Sequence, residues 1–205
     1  MSRLTGTGTF TTTHFSYYGV GFNKISFSDV PSGIWYEKAV SFLAARKITS
    51  GTGGGKYNPN ESLTRGQFIT LMMRAYGIAP VDNPMDNFSE AGNTYYTGYL
   101  AAAKQLDISQ GVGNNQFAPE QVITRQEMFT ILYNALKVIG RLPDGNSGKA
   151  ITDFSDSGGV SSYAREATVH LVKVGVVSGD NDLLFPTATI TRAQMAQVLY
   201  KLLSK

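Results

Sequence analysis

Three arginines stand where a cation is locally disfavoured. They occur in Leu63-Thr64-Arg65-Gly66-Gln67, Ile123-Thr124-Arg125-Gln126-Glu127 and Ile190-Thr191-Arg192-Ala193-Gln194. Threonine is a good N-cap, and the Gln or Glu three residues later completes a capping box, so each arginine takes the first position of an expected helix. Unsatisfied N–H groups make the potential positive there, and a cation costs about 0.3–1 kcal/mol at an exposed site. A single arginine so placed reads as a stem covering apolar surface or as the partner of a nearby carboxylate. Three in matching capping boxes ask for a shared role.

Other chemistry-bearing patterns are weaker. Gly51 to Lys56 is rich in glycine, but a phosphate loop would need glycine at the position of Ser50, and no strand precedes it. Asp180-Asn181-Asp182 starts like a calcium loop, yet its twelfth position is Thr191 rather than a bidentate glutamate. His14 and His170 are isolated and cysteine is absent, so neither a metal site nor a cofactor is expected. Asp29, Glu90 and Asp156 recur one per repeat, whereas glycoside hydrolysis needs two carboxylates in unlike environments at one site. No catalytic residue is expected.

The elements that position the arginines follow from an internal repeat. Arg65 to Arg125 is 60 residues and Arg125 to Arg192 is 67. Phe27-Ser28-Asp29, Phe88-Ser89-Glu90 and Phe154-Ser155-Asp156 open the repeats 38, 37 and 38 residues ahead. An aromatic follows each opener by eight or nine residues, as Trp35, Tyr96 and Tyr163. Gly51, Gly111 and Gly179 are expected to end the first helix, and Pro59, Pro119 and Pro186 stand six residues before the arginines.

Each repeat therefore reads as helix, glycine-rich loop, helix. The second helix carries Phe68, Leu71, Met72 and Ala75, then Met128, Ile131, Leu132 and Ala135, then Met195, Val198, Leu199 and Leu202. Three helices with one apolar stripe each bury it most simply against one another about a pseudo-threefold axis. The expected fold is all-α, three lobes around a central three-helix bundle. The expected division is 1–26 as an extension, 27–80, 81–145 and 146–205 as repeats. Phe10 to Val20 is rich in β-branched and aromatic residues and reads as a strand, the end of a β-rich domain upstream.

Composition excludes several classes. The chain has 205 residues, 42% hydrophobic and 16% charged, with 22 glycines and a formal charge of +3, and it carries no Lys/Arg run of nucleic-acid type. No run of 18 apolar residues suggests a membrane span. The start lacks an apolar signal region, so an exported form would take its signal from a longer parent.

The Phe-Ser-Asp opener, the aromatic, the Gly-loop-Pro and the Ile-Thr-Arg helix start together resemble the S-layer homology domain, a module found in tandem threes on bacterial surface proteins. The resemblance covers residues 27 to 205. It implies extracellular, non-covalent anchoring to the cell wall, by holding an anionic wall polysaccharide that carries pyruvate ketals, in grooves between repeats. It also implies fusion to a larger surface protein or enzyme. On that resemblance the glycan contacts are Arg65, Arg125, Arg192, Asp29, Glu90, Asp156, Trp35, Tyr96, Tyr163, Gly51, Gly111 and Gly179. A carboxylate in the groove would meet a guanidinium fork and a helix N-terminus together, which gives the misplaced arginine a purpose.

The repeats depart from one another. Repeat two has Glu90 for Asp, Ala91 for Val30 and Tyr96 for Trp35; repeat three shortens its loop by one residue and has Leu184 where Tyr57 and Phe117 stand. Unequal grooves are expected. The acidic openers read equally as glycan contacts or as caps that order a turn. Removing any of the three arginines is expected to weaken binding and to leave stability unchanged or slightly raised, unless a carboxylate already neutralises it. Two other functions fit the repeats: a self-assembly module without glycan binding, and a glycan-processing enzyme.

Overall fold

The computed structural model describes residues 23–204. Among them it contains α1 (Glu37–Ala45), α2 (Arg65–Ala75), α3 (Thr97–Gln105), α4 (Arg125–Val138), α5 (Ser162–Lys173) and α6 (Arg192–Leu203). Two 3-10 turns, Ile151–Asp153 and Ser157–Gly159, precede α5, and extended backbone forms only isolated bridges. The expected strand over residues 10 to 20 lies outside the described residues.

The helix starts follow the capping chemistry. Thr64, Thr124 and Thr191 accept from the N–H of Gln67, Glu127 and Gln194, and those side chains accept from the cap N–H in return. The first helices end earlier than expected. They stop at Ala45, Gln105 and Lys173, before Lys47, Asp107 and Gly175 at φ of +59°, +60° and +75°. The N–H groups of Ile48, Ile108 and Val176 then return to the carbonyls of Leu43, Ala103 and Leu171. That left-handed turn terminates the helix whether or not a glycine supplies it.

Gly51, Gly111 and Gly179 stand farther along, in the loops. At φ of +78°, a Cβ on Gly111 would lie 2.0 Å from the Gln116 carbonyl oxygen and 2.8 Å from the Phe88 ring. Gly51 faces Phe27 and Gly179 faces Phe154 in the same way. This close approach links the aromatic opener to the glycine across each repeat.

α2 packs against both α4 and α6 at the centre. The segments entering these helices meet: Leu63 N–H donates to Ile190 O and Ile123 N–H to Leu63 O. Leu63, Ile123 and Ile190 are fully buried, each contributing about 1.5–3 kcal/mol. The outer helices cross between repeats, because α3 packs on α2, α5 on α4 and α1 on α6. Each outer helix thus completes the preceding repeat. The α1–α6 contact, where Phe42 and Tyr200 meet edge to face, closes the ring.

Candidate functional site

Cross-packing creates three equivalent grooves, each drawing on three repeats. The Tyr95 groove is lined by Arg192 from repeat three, by Thr49 to Thr52 and the α2 residues Gln67, Thr70 and Arg74 from repeat one, and by Tyr95 from repeat two. The Tyr163 groove has Arg65, Ser109 to Val112, Glu127, Thr130, Asn134 and Tyr163. The Trp35 groove has Arg125, Val176 to Asp180, Gln194, Gln197, Lys201 and Trp35. Their volumes, about 430, 490 and 600 Å³, are those of small-molecule sites.

Each arginine enters its groove from behind. Nε donates to a loop carbonyl of the next repeat in the ring: Arg65 to Phe117 O at 2.8 Å, Arg125 to Leu184 O at 2.7 Å and Arg192 to Tyr57 O at 2.7 Å. The Arg65 and Arg192 guanidinium carbons lie 4.7 Å from the Phe117 and Tyr57 ring centres. Leu184 offers no such ring, and Arg125 instead lies 5.6 Å from Phe129. Burial pulls the Arg65 and Arg125 guanidinium groups below their usual pKa; Glu127 draws Arg65 part of the way back, as Asp156 and Asp180 do for Arg125.

The helix starts do not take part as expected. Arg65 N–H donates to Gln121 O and Gly66 N–H to Pro119 O. Arg125 and Gln126 reach Ala188 O and Pro186 O, and Arg192 and Ala193 reach Glu61 O and Pro59 O. The third N–H of each helix goes to its threonine cap. These donors are consumed by neighbouring loops, so the guanidinium, not the helix terminus, is what faces the groove. The positive potential at each helix start is met by carbonyl oxygens, which removes the penalty expected for a cation there. A structural role and a groove-lining role coexist in one side chain.

Two further expectations need correction. Tyr96 is 5% exposed and packs over Gly66, with its hydroxyl donating to Glu120 at 2.6 Å. The groove aromatic is Tyr95, 57% exposed like Trp35 at 57% and Tyr163 at 55%. Trp35 meets Tyr36 edge to face at 5.0 Å and Tyr95 meets Tyr96 at 5.1 Å, so Tyr96 is the counterpart of Tyr36. The register was readable, because Leu100 and Ala103 follow Tyr96 by four and seven residues as Val40 and Leu43 follow Tyr36.

Asp29, Glu90 and Asp156 line none of these grooves. Asp29 accepts from the N–H groups of Tyr57 and Asn58 at 2.8 and 2.7 Å, and Asp156 from Leu184 and Phe185, both at 2.7 Å. Glu90 accepts from Phe117 and Ala118 through one oxygen. Burial pushes the Asp29 and Glu90 carboxyls up, but these backbone bonds outweigh it and hold both below their ordinary values. The acids fasten the loop whose carbonyl receives the arginine. Gly51, Gly111 and Gly179, by contrast, line the groove walls.

The residues brought together from the sequence reading are thus the three arginines, Trp35, Tyr163 and the three glycines. Sequence reasoning missed Tyr95 and the second wall, formed by Gln67, Thr70 and Arg74 and their counterparts on α4 and α6. Among the described residues, no group of three or more His, Cys, Asp or Glu could hold a metal ion, and no helix is long and apolar enough to cross a membrane.

A family model described as the S-layer homology domain matches residues 26–69 and 88–129. The third repeat lies outside the matched segments and repeats their capping box, loop clip and groove. An amylopullulanase of Thermoanaerobacterium thermosulfurigenes is 32% identical over 98% of this chain and 11% of its own length. The S-layer protein EA1 of Bacillus anthracis is 27% identical over 85% of this chain and 20% of its own. An exoglucanase of Acetivibrio thermocellus, XynX, is 29% identical over 91% of this chain and 17% of its own. The chain spans a fifth or less of these relatives, which include both enzymes and an S-layer protein.

Proposed function

Because the chain belongs to the S-layer homology family, a bacterial cell-surface module, we propose that it anchors a larger protein to the cell wall by holding an acidic wall polysaccharide in its three grooves. The observation that carries this reading is the repetition of one constellation: each groove is lined by an arginine anchored at its rear through Nε, by an exposed aromatic ring and by a glycine-walled loop. A guanidinium fork suits a carboxylate, as a pyruvate ketal would supply, and a charge-assisted hydrogen bond contributes about 1.5–3 kcal/mol. The exposed ring offers an apolar platform to a sugar face.

Modest affinity per groove suffices. A polymer that engages two or three grooves gains roughly 10²–10⁴ in avidity without any new contact. The matched relatives agree with an anchoring role, since a similar stretch accompanies an amylopullulanase, an exoglucanase and an S-layer protein. Calorimetric titration of purified wall polymer, with its pyruvate intact or removed by mild acid, tests the reading. Binding that depends on pyruvate is expected. Equal binding by the depyruvylated polymer would refute the acid-recognition step, and concentration-dependent assembly without any glycan binding would favour a purely structural module.

A further inference from the structure

Resting on the glycan reading above, we infer that the three grooves divide by charge: the Tyr95 and Trp35 grooves take the acidic units of the polymer, and the Tyr163 groove takes an uncharged unit. The difference originates in one side chain, the third residue of each central helix, which is Gln67, Glu127 or Gln194.

Glu127 has both oxygens engaged. Oε2 accepts from Thr124 N at 2.8 Å and from Thr124 Oγ1 at 2.6 Å, while Oε1 accepts from Arg65 Nη1 at 2.8 Å. Arg65, with a side chain only 4% exposed, is therefore neutralised inside its own groove. The remaining polar walls there are Ser109, Gln110, Thr130, Asn134 and Tyr163, none of them charged. An incoming carboxylate would meet the fixed carboxylate of Glu127 and have to displace it from the guanidinium.

Gln67 and Gln194 reverse that logic. Each Oε1 accepts from its cap N–H, Thr64 at 3.2 Å and Thr191 at 3.0 Å. A backbone N–H only donates, so it fixes the amide oxygen inward and leaves the NH2 group as the end available to the groove. Among the described residues, neither Arg125 nor Arg192 has a carboxylate within ion-pair distance. Both grooves thus pair a guanidinium with an amide donor, and each adds a second cation, Arg74 in the Tyr95 groove and Lys201 in the Trp35 groove. Asp180 offsets part of the charge beside Arg125, and Glu120 lies near the Tyr95 rim through its bond to Tyr96. The Tyr95 groove is accordingly the stronger acid site. Donors gathered in one groove with no carboxylate in ion-pair contact invite an anion.

The full chain is titrated by calorimetry and by NMR of the groove aromatics with two probes, a hexosamine methyl glycoside carrying a 4,6-O-pyruvate ketal and the same glycoside without it. Trp35, the single tryptophan, gives an independent fluorescence signal for its own groove. The wild-type chain is expected to take two equivalents of the acidic probe, with Tyr95 and Trp35 responding and Tyr163 silent. Glu127→Gln retains the capping box in the form already used by Gln67 and Gln194, and it should raise the count to three. Gln67→Glu should weaken acid binding at Tyr95 at least tenfold.

Three equivalents in the wild-type chain, with Tyr163 responding alongside Tyr95, would overturn this division while leaving the glycan reading intact. Acid binding unchanged by both variants would do the same. Absence of binding by either probe at every groove would overturn the glycan reading itself and this inference with it.

Discussion

The Tyr95 and Tyr163 grooves are built to one plan and differ in how their arginine is held. In both, Nε is fixed to a loop carbonyl and the guanidinium lies 4.7 Å from an aromatic ring centre. Arg65 is also bound by Glu127 in front; Arg192 has no such partner among the described residues. The lesson is that a repeated motif conserves the rear attachment, which serves the fold, while one residue at the front changes what the groove offers. A side chain judged by its position on a helix looked misplaced. Judged by its neighbours in the ring, it is a strut between repeats with a free end in one groove and a paired end in the other.

The largest expected effect separates these two attachments. Arg192→Ala removes a buried hydrogen bond between repeats three and one and the ring contact with Tyr57, and should cost about 1–3 kcal/mol. Arg65→Ala should cost more, about 2–4 kcal/mol, because it also leaves the Glu127 carboxylate without its cation in a partly buried site. Chemical denaturation of both variants checks the order. Combining Arg65→Ala with Glu127→Gln should recover the excess, bringing Arg65→Ala back to the cost of Arg192→Ala. A gain in stability on removing either arginine would show that the helix dipole, not the inter-repeat bond, dominates.

Glu127→Gln alone should have a smaller effect, about 1–2 kcal/mol, since the capping box survives and the buried Arg65 loses its front partner but keeps its rear bond to Phe117 O and its ring contact. Its thermal midpoint measures how far the front pairing serves stability at all. A loss as large as that of Arg65→Ala would mean that the pair acts as one structural unit and that the grooves differ in architecture as well as in charge.

Acid sensitivity probes the rear attachments through the loops that carry them. Backbone bonds hold the Asp29 and Glu90 carboxyls below their ordinary values of 3.8 and 4.5. A carboxyl whose pKa is depressed on folding contributes stability fully present above its unfolded value and lost as pH falls through the folded one. Both clips should therefore be intact near neutrality and weaken below about pH 4.5 for Glu90 and below about 3.8 for Asp29. Asp29→Asn loosens the loop whose Tyr57 carbonyl holds Arg192, and Glu90→Gln the loop whose Phe117 carbonyl holds Arg65. Denaturation midpoints between pH 3 and 7 should show a shallower acid limb for each variant than for the wild-type chain.

Much of this architecture was legible in the residues. The capping boxes, the central helix starts and the apolar stripes of α2, α4 and α6 are local patterns, and they survive into the structure because packing reinforces them. The ends of α1 and α3 were not legible, because Lys47 and Asp107 adopt a left-handed turn that glycine supplies more readily, as Gly175 does after α5. Tyr95 was overlooked because counting from the opener gave the buried member of the Tyr-Tyr pair; counting burial along the helix gives the exposed one. The crossing of outer helices between repeats left no local trace, since the apolar stripes of three similar repeats can satisfy one another in more than one order. The use of the helix-start N–H groups followed from that crossing and was hidden with it.

The smallest expected effect reads the two grooves through their own aromatic rings. Burial raises the Tyr163 phenol above its ordinary pKa, the Glu127 carboxylate raises it further, and Arg65 lowers it. Tyr95 is raised first by burial and then by Glu120, while Arg192 and Arg74 lower it. Glu127→Gln should therefore lower the pKa of Tyr163 and leave Tyr95 unmoved, because removing a negative charge makes the phenolate easier to form. Arg65→Ala should move Tyr163 the other way, and Arg192→Ala should raise Tyr95 and leave Tyr163 unmoved. NMR titration of the two ring carbons resolves the groups separately. Opposite signs for the two Tyr163 variants would place both charges of the pair beside that ring; a shift of Tyr95 on replacing Glu127 would mean that the grooves communicate, and that their difference in charge is not confined to one of them.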